Sequence, residues 1–359
     1  MPTIRDLAEL GQSVWLDYIK RSFIDSGELT ALIGEGLGGI TANPTILEKA
    51  IAESSDYDRD IARLAREGKT DMEIYEALAR DDIGRAADLL RPVWDRIHGG
   101  DGYVSLEVSP DLAHDTWGTV EAARHLFAML SRPNVLIKVP ATKEGYPAIE
   151  QLIAEGINVN ITLMFSLSQY EAVAEAYLSG LETRLEAGQE ISLVTSVASF
   201  FVSRVDTVVD KELAKIRNVE LQGKIAIANA KRVYARFREI FRGPRWEKLA
   251  ACGAHLQRPL WASTGTKNPE YPDTLYVDEL IGPDTVNTIP PATLKAFKDH
   301  GRARETLADG IEEANRQLAR LEEAGVELEA IAGRLLDDGI ALFAKSFDEL
   351  MAGIAAKRG

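Results

Sequence analysis

Charged side chains interrupt or close short apolar segments in the first half of this 359-residue chain. There are three such residues: Asp17 in VWLDYI, Glu107 in YVSLEVSP and Lys138 in VLIKVPAT. A charged residue inside an apolar strand costs free energy unless it is paired or used. The pattern indicates either a buried ion-pair network between strands or a reactive site, and we favour the reactive site.

Lys138 offers the most distinctive chemistry of the three. Its apolar neighbours predict a poorly hydrated position, which disfavours the ammonium form of the side chain. A neutral lysine amine attacks carbonyl carbons and forms a Schiff base. The protonated Schiff base is an electron sink, so a carbon–carbon bond two atoms away can break and leave an enamine. Asp17 and Glu107 are the carboxylates available to carry the protons.

Other polar residues follow or end the same kind of segment. Amides and hydroxyls suited to hold sugar hydroxyls or a shuttling water are Asn43, Asn160, Thr162 and Ser199. A phosphate group suits Arg204, Ser263 and Lys267, because arginine presents a planar fork and lysine a point charge.

Eight short segments must position these residues. Their nearly continuous apolar character is typical of strands that are buried on both faces of a parallel sheet. The predicted strands are Ser13–Tyr18, Leu37–Ile40, Tyr103–Glu107, Val135–Val139, Ile157–Ile161, Ser192–Val197, Pro259–Ala262 and Thr285–Asn287.

Amphipathic stretches alternate with the strands. They predict helices over Asp71–Ile97, Asp115–Leu130, Ser168–Glu186, Gly223–Phe241 and, with a break near Gly325, Glu305–Leu350. Eight strand–helix units in order favour an α/β fold of the closed (β/α)8 TIM barrel type over an open doubly wound sheet. In such a barrel the chemistry lies at the carboxyl ends of the strands.

We expect one domain over residues 1–359, with a helical carboxyl-terminal extension at about 302–355. The glycine-rich stretch GEGLGG over 34–39 precedes a predicted strand, whereas a dinucleotide-binding turn follows one. The stretch is therefore predicted to be a turn between a helix and a strand.

The composition limits the kinds of molecule that we expect the protein to bind. The 41 basic and 56 acidic residues give a net charge of −15, which argues against nucleic-acid binding but allows an anionic small substrate. One cysteine excludes an intrachain disulfide, and five histidines without HxH or HExxH spacing predict no metal or other cofactor. With no apolar signal region and no apolar run of about 18 residues, we expect a cytoplasmic protein without membrane contact, either a monomer or a homodimer.

Six ordered blocks resemble those of the transaldolases. GGITANPTIL resembles their first signature, a Thr-x-Asn-Pro turn after the second strand, and VLIKVPATKEGYPAIEQL resembles the second, around the Schiff-base lysine. VWLDYIKRSFI, INVNITLMFS, SVASFFVSRVD and WASTGTKNP extend the resemblance over residues 13–268. The chain differs at Ala42, where Ser or Thr is usual, at Tyr146, where an aliphatic residue is usual, and at Lys267, in a role that arginine fills in shorter members.

The resemblance implies a class I aldolase-type barrel that transfers a dihydroxyacetone unit in the non-oxidative pentose phosphate pathway. The phosphosugar donor would be sedoheptulose 7-phosphate or fructose 6-phosphate, and the acceptor glyceraldehyde 3-phosphate or erythrose 4-phosphate. Lys138 would form the Schiff base, Asp17 would take the proton of the donor's C4 hydroxyl, and Glu107 would act with Thr162 through a water. The dihydroxyacetone part would be held by Asn43, Asn160 and Ser199, and the phosphate by Arg204, Ser263 and Lys267.

Three other functions are weighed against this one. Related fructose-6-phosphate aldolases, which release free dihydroxyacetone, carry tyrosine where this chain has Phe201, and the missing phenol favours transfer. A barrel that binds a phosphosugar without catalysis is the second alternative. The third, a metal-dependent aldolase, is disfavoured because the chain lacks a histidine cluster.

Overall fold

Eight parallel strands close into a barrel in the computed structural model, which describes residues 1–358. The strands follow one another around the barrel in chain order, and the last pairs with the first. They are β1 Gln12–Leu16, β2 Gly39–Thr41, β3 Tyr103–Glu107, β4 Val135–Pro140, β5 Val159–Met164, β6 Ser196–Phe201, β7 Arg258–Ala262 and β8 Thr285–Ile289. The predicted α/β fold class and (β/α)8 TIM barrel are confirmed.

Helices surround the barrel and bury their apolar sides against it. They are α1 Ile4–Glu9, α2 Arg21–Asp25, α3 Glu28–Glu35, α4 Pro44–Ile51, α5 Asp58–Arg66, α6 Asp71–Arg96, α7 Thr116–Leu130, α8 Gly145–Glu155, α9 Leu167–Glu186, α10 Ser203–Lys215, α11 Ile225–Ile240, α12 Pro244–Ala251, α13 Leu275–Glu279, α14 Pro291–His300, α15 Ile311–Glu323 and α16 Leu328–Arg358, with a 3₁₀ helix at Pro110–Leu112. The four long helices predicted before residue 300 are α6, α7, α9 and α11. The predicted break near Gly325 separates α15 from α16, and this glycine has φ +78°.

The glycine-rich stretch before β2 is the predicted turn. Gly36 ends α3 in the left-handed region, at φ +115°, which glycine adopts without steric cost. Gly39 begins β2 against an aromatic ring, since a Cβ there would lie 2.6 Å from the indole of Trp15.

The sixth strand lies four residues later than the sequence predicts. The β-branched stretch before residue 196 resembles a strand, but Val194 instead closes a turn by donating its N–H to the carbonyl of Ile191 at 3.1 Å. Ser199 and Phe201 are therefore within β6 and not beyond it. Ser196 lies at the amino end of β6, where it accepts a hydrogen bond from Gln257 at 2.9 Å.

The fifth strand also extends further than predicted. Its pairing with β6 is irregular between Ile161 and Met164, and Leu163 has φ +58°. Thr162 pairs with Pro140 of β4 and Met164 pairs with Phe200 of β6, so Thr162 is part of the strand and not an extension beyond it.

The long helix α16 returns from the outside of the barrel to its carboxyl end. It contacts α4, α5, α6, α10 and β5. Ser346 Oγ lies 2.8 Å from Thr45 Oγ1, and the ring of Phe347 meets that of Tyr75 edge-on, with centroids 5.4 Å apart. The carboxyl-terminal extension therefore forms part of the mouth of the barrel.

Two kinds of feature are absent from residues 1–358. None of their helices is long and apolar enough to cross a membrane. Nor do they bring together three or more His, Cys, Asp or Glu side chains in a way that could hold a metal ion.

Candidate active site

A cavity of about 310 Å³ opens at the carboxyl ends of the strands. Nine of the eleven predicted site residues line it: Asp17, Asn43, Lys138, Thr162, Ser199, Phe201, Arg204, Ser263 and Lys267. The other two, Glu107 and Asn160, lie just behind the lining and contact it through Lys138 and Ser199. The structure thus brings the predicted residues to one place, although they come from seven strand–helix units.

Lys138 and Glu107 form a buried ion pair on neighbouring strands. The two residues are aligned in the β3–β4 register, and Nζ of the lysine lies 3.0 Å from Oε2 of the glutamate. Nζ also donates a hydrogen bond to the carbonyl oxygen of Ala42 at 3.1 Å. Burial raises the pKa of Glu107, while the positive charges of Lys138 and Arg204 oppose the rise. The amine therefore has a proton acceptor beside it whose own burial favours the protonated form.

Asp17 follows β1 and is held by two threonine hydroxyls in series. Thr41 Oγ1 donates to Oδ1 of the aspartate at 2.7 Å and lies 2.6 Å from Thr288 Oγ1. Burial raises the pKa of Asp17, and the hydrogen bond from Thr41 and the nearby lysine and arginine charges oppose the rise. A carboxylate with a raised pKa takes up and returns protons more readily near neutral pH.

Two amide side chains of the site are fixed by hydrogen bonds, Asn160 by side chains of neighbouring strands and Asn43 by the start of a helix. Asn160 Nδ2 donates to Ser105 Oγ at 3.0 Å, and Ser199 Oγ donates to Asn160 Oδ1 at 2.6 Å. Asn43 Oδ1 accepts the N–H of Ile46 at 3.0 Å, so this residue caps α4 and also lines the cavity. Thr162 differs from all of these, because its buried Oγ1 has no hydrogen-bond partner among residues 1–358.

Three cations that line the cavity have no carboxylate oxygen within 4.0 Å among residues 1–358: Lys49, Arg204 and Lys267. Arg204 is the second residue of α10, and burial lowers the pKa of its guanidinium, opposed by the charges of Asp17 and Glu107. Ser263 turns the chain after β7 at φ +56°, and its Oγ lies 2.9 Å from Ser203 Oγ. These groups make the cavity suitable for an anionic substrate.

Some residues of the site received no role from the sequence. Thr41 and Thr288 lie near the carboxyl ends of their strands, and this position is the sequence feature that could have indicated them. Leu342 and Phe343 line the cavity from α16, about 140 residues after the last residue of β6 and far from every signature block. No local pattern distinguishes these two from other apolar residues of an amphipathic helix.

The sequence matches the family model described as Transaldolase/Fructose-6-phosphate aldolase over residues 14–354. The chain belongs to this family. A protein named Transaldolase from Thiobacillus denitrificans is 49% identical over 358 residues, which cover 99% of this chain and 100% of the relative. Another of that name from Thermobifida fusca is 49% identical, over 98% of this chain and 97% of the relative, and Transaldolase 2 from a Nostoc species is 46% identical, over 98% and 96%.

Family membership confirms the resemblance seen in the six sequence blocks. It also confirms the predicted enzyme class, a transaldolase-type transferase of aldehyde or ketone groups, and implies phosphosugar substrates. The matched region extends through most of α16, well beyond the last block that the sequence analysis used.

Proposed function

We propose that this chain moves a dihydroxyacetone unit from sedoheptulose 7-phosphate to glyceraldehyde 3-phosphate, through a Schiff base on Lys138, in the pentose phosphate pathway. The products are erythrose 4-phosphate and fructose 6-phosphate. The observation that carries the proposal is the position of Lys138, whose side chain lines the cavity, is nearly inaccessible to solvent and lies 3.0 Å from Glu107. The carboxylate is within reach of the proton that the amine gives up when it attacks a carbonyl carbon.

Schiff-base formation uses Lys138 and Glu107. Glu107 first accepts a proton from the Lys138 ammonium. The nitrogen lone pair then attacks C2 of the ketose, the carbonyl electrons move to oxygen, and Glu107 gives its proton to that oxygen. Glu107 next takes a second proton from the nitrogen and returns it to the C2 hydroxyl, which leaves as water and gives the iminium. The unpartnered hydroxyl of Thr162 supports its assignment as the group that holds a relaying water.

Carbon–carbon cleavage uses Asp17. Its carboxylate takes the proton of the C4 hydroxyl, the C3–C4 bond breaks, and the electron pair moves toward the iminium to give the enamine. The first aldehyde leaves. When the enamine attacks the second aldehyde, Asp17 returns the proton to the new hydroxyl. Water then adds to C2 of the iminium, the new ketose leaves, and Lys138 regains its ammonium form.

Different residues bind the dihydroxyacetone unit and the phosphate of the sugar substrate. Asn43, Asn160 and Ser199 hold the hydroxyls of the dihydroxyacetone unit, and the fixed amide of Asn160 supports this role. The phosphate binds Arg204, Ser263 and Lys267, a group whose two cations have no carboxylate partner within residues 1–358. Charge-assisted hydrogen bonds to phosphate are among the stronger polar interactions.

The identity of residue 201 favours transfer over release of free dihydroxyacetone. The Phe201 ring lines the cavity with its centroid 5.4 Å from that of Phe165, and it brings no hydroxyl to activate a water. With fructose 6-phosphate as donor, we expect erythrose 4-phosphate to be consumed. Release of dihydroxyacetone at a similar rate without any acceptor would instead identify an aldolase.

Trapping tests the central step. Borohydride added with fructose 6-phosphate should fix the donor's carbon skeleton on Lys138, visible as a mass increase that peptide mapping assigns to this residue. Lys138→Ala should abolish trapping and lower turnover by more than about 1,000-fold while the fold is kept. Lys143→Ala, a change at an exposed lysine five residues later, is the matched control and should trap normally. Normal turnover by Lys138→Ala, or an adduct mapped to another lysine, would remove the mechanism.

A further inference from the structure

The carboxyl-terminal helix α16 brings an aromatic side chain into the candidate site. Phe343 lines the cavity and is 2% exposed. Contacts with other parts of the protein hold this part of the helix in place, among them Ser346 with Thr45 and Phe347 with Tyr75. The packing of α16 therefore sets the position of the Phe343 ring.

Arg204 lies between two aromatic rings. Its Cζ is 5.3 Å from the ring centroid of Phe201 on β6 and 5.8 Å from that of Phe343 on α16. Both distances are within the range of cation–π attraction, which strengthens when the pair is removed from water. Arg204 has no carboxylate within 4.0 Å among residues 1–358, so the charges of Asp17 and Glu107 act on it from further away, while both rings lie within cation–π range.

Helix α16 also approaches Arg204 at a position without a side chain. A Cβ on Gly339 would lie 3.5 Å from Nη1 of Arg204 and 2.7 Å from Cδ2 of Leu163. The backbone of α16 thus comes close to the guanidinium one turn before Phe343. These contacts leave Arg204 little room to take other orientations, while its positive charge is not neutralised.

We propose that Phe343 is a positioning residue that holds Arg204 ready for the phosphate group of the sugar substrate. The inference rests on the proposed function, in which Arg204 binds that phosphate. A guanidinium that is already oriented loses less conformational freedom when the anion binds, so the complex is tighter. Phe201 contributes the second ring, and the C-terminal helix thereby takes part in substrate recognition.

Two phenylalanine-to-leucine changes on the same helix test this role. Phe343→Leu removes the ring that faces Arg204, and Phe347→Leu removes a ring of similar burial, 7% exposed, that faces Tyr75. For each variant we would measure the sugar concentration that gives half-maximal borohydride trapping on Lys138, with fructose 6-phosphate and with fructose. Because fructose lacks the phosphate, it reports every effect that does not pass through Arg204.

Phe343→Leu should raise the half-saturating concentration of fructose 6-phosphate by roughly fivefold and that of fructose by less than about twofold. Phe347→Leu should change neither half-saturating concentration, although both variants lose packing on α16. Equal weakening of the two sugars by Phe343→Leu would overturn the inference, because a ring that only fills space affects both alike.

An Arg204→Ala background separates this inference from the proposed function. There, adding Phe343→Leu should cause no further loss of affinity for fructose 6-phosphate. A further loss of about fivefold would overturn the positioning role and leave the phosphate assignment intact. If Arg204→Ala alone weakens both sugars equally, Arg204 does not bind the phosphate, and the assignment on which the inference rests is wrong.

Discussion

A polar cluster around a partly buried aspartate lies at each end of the barrel. The two clusters differ in which groups form hydrogen bonds and ion pairs with the carboxylate. At the amino end, Asp101 accepts hydrogen bonds from Ser13 Oγ and, at 2.7 Å, from Trp15 Nε1, and it lies 3.5 Å from Arg258 Nη2. At the carboxyl end, Asp17 has one hydroxyl donor, from Thr41, and faces a cavity. The first carboxylate is satisfied by protein groups on several sides, and the second is left open on one.

This difference shows how the same residue type serves two purposes in one fold. Buried polar groups with full partners tie elements together, and in a TIM barrel such groups at the amino end serve stability. Groups that lack partners cost folding free energy and are retained at functional sites. A substitution at the carboxyl end should therefore lower activity with little loss of stability. A substitution at the amino end should lower stability with little loss of activity.

Among the substitutions that compare the two ends of the barrel, the largest expected effect on activity is at Asp17. Asp17→Asn should slow carbon–carbon cleavage by about 100- to 10,000-fold, since the general base is lost, and should slow Schiff-base formation less. Cleavage is measured by release of the aldehyde in a single turnover, and adduct formation by trapping. If adduct formation were the step that is lost, the assignment of Asp17 to cleavage would be wrong.

The same variant should not lose stability at neutral pH. Burial raises the pKa of Asp17 above its ordinary value of 3.8, so the ionised side chain costs folding free energy once the pH exceeds that value. The asparagine side chain of the variant carries no charge and avoids this cost. Urea denaturation at neutral pH should show a free energy of unfolding equal to or above that of the unchanged chain. Marked destabilisation would mean that Asp17 is structural, as Asp101 is.

Asp101→Ala should give the opposite result. It leaves the hydroxyl of Ser13 and the indole N–H of Trp15 without their acceptor, which should lower the free energy of unfolding by about 2–3 kcal/mol. Turnover below the denaturation temperature should stay unchanged, because the cluster lies at the other end of the barrel. A specific loss of turnover in folded protein would contradict the division between the two ends.

Lys267→Ala should have an effect that depends on the phosphate. The exposed lysine contributes a charge-assisted interaction, so kcat/KM for fructose 6-phosphate should fall by roughly tenfold and that for fructose should change little. Lys295→Ala, which removes an exposed lysine elsewhere, controls for the change in net charge. An equal loss on both sugars would show that Lys267 does not contact the phosphate.

Thr41→Val should have the smallest effect. Its hydroxyl donates to the carboxylate of Asp17 and so lowers the pKa against the larger effect of burial. Without it the pKa rises further, and the acidic limb of the kcat/KM profile should move to higher pH. Thr288→Val, which removes the next hydroxyl in the series, should shift the limb less. A shift toward lower pH would contradict the role of Asp17 as the base.

The sequence predicted the strands that carry Glu107 and Lys138 better than the strand that precedes Arg204. Tyr103–Glu107 agrees in both bounds with β3, because glycine and a polar turn limit the segment on either side. The strand predicted at Ser192–Val197 lies four residues too early, since β-branched residues in a turn resemble a strand when neighbouring contacts are unknown. Ser199 was still placed at the site, but as a residue after the strand and not within it.

The order of apolar segments and the polar residues at their ends were enough to indicate a closed barrel and a lysine-centred site. Both are local features: a strand buried on two faces needs an apolar run, and a parallel barrel brings the carboxyl ends together. Only the tertiary structure decided that α16 reaches the mouth, that Phe343 and Phe201 enclose Arg204, and that Lys138 meets Glu107 at 3.0 Å. Contacts between different strands and helices depend on the packing of whole elements, which no spacing within a segment encodes.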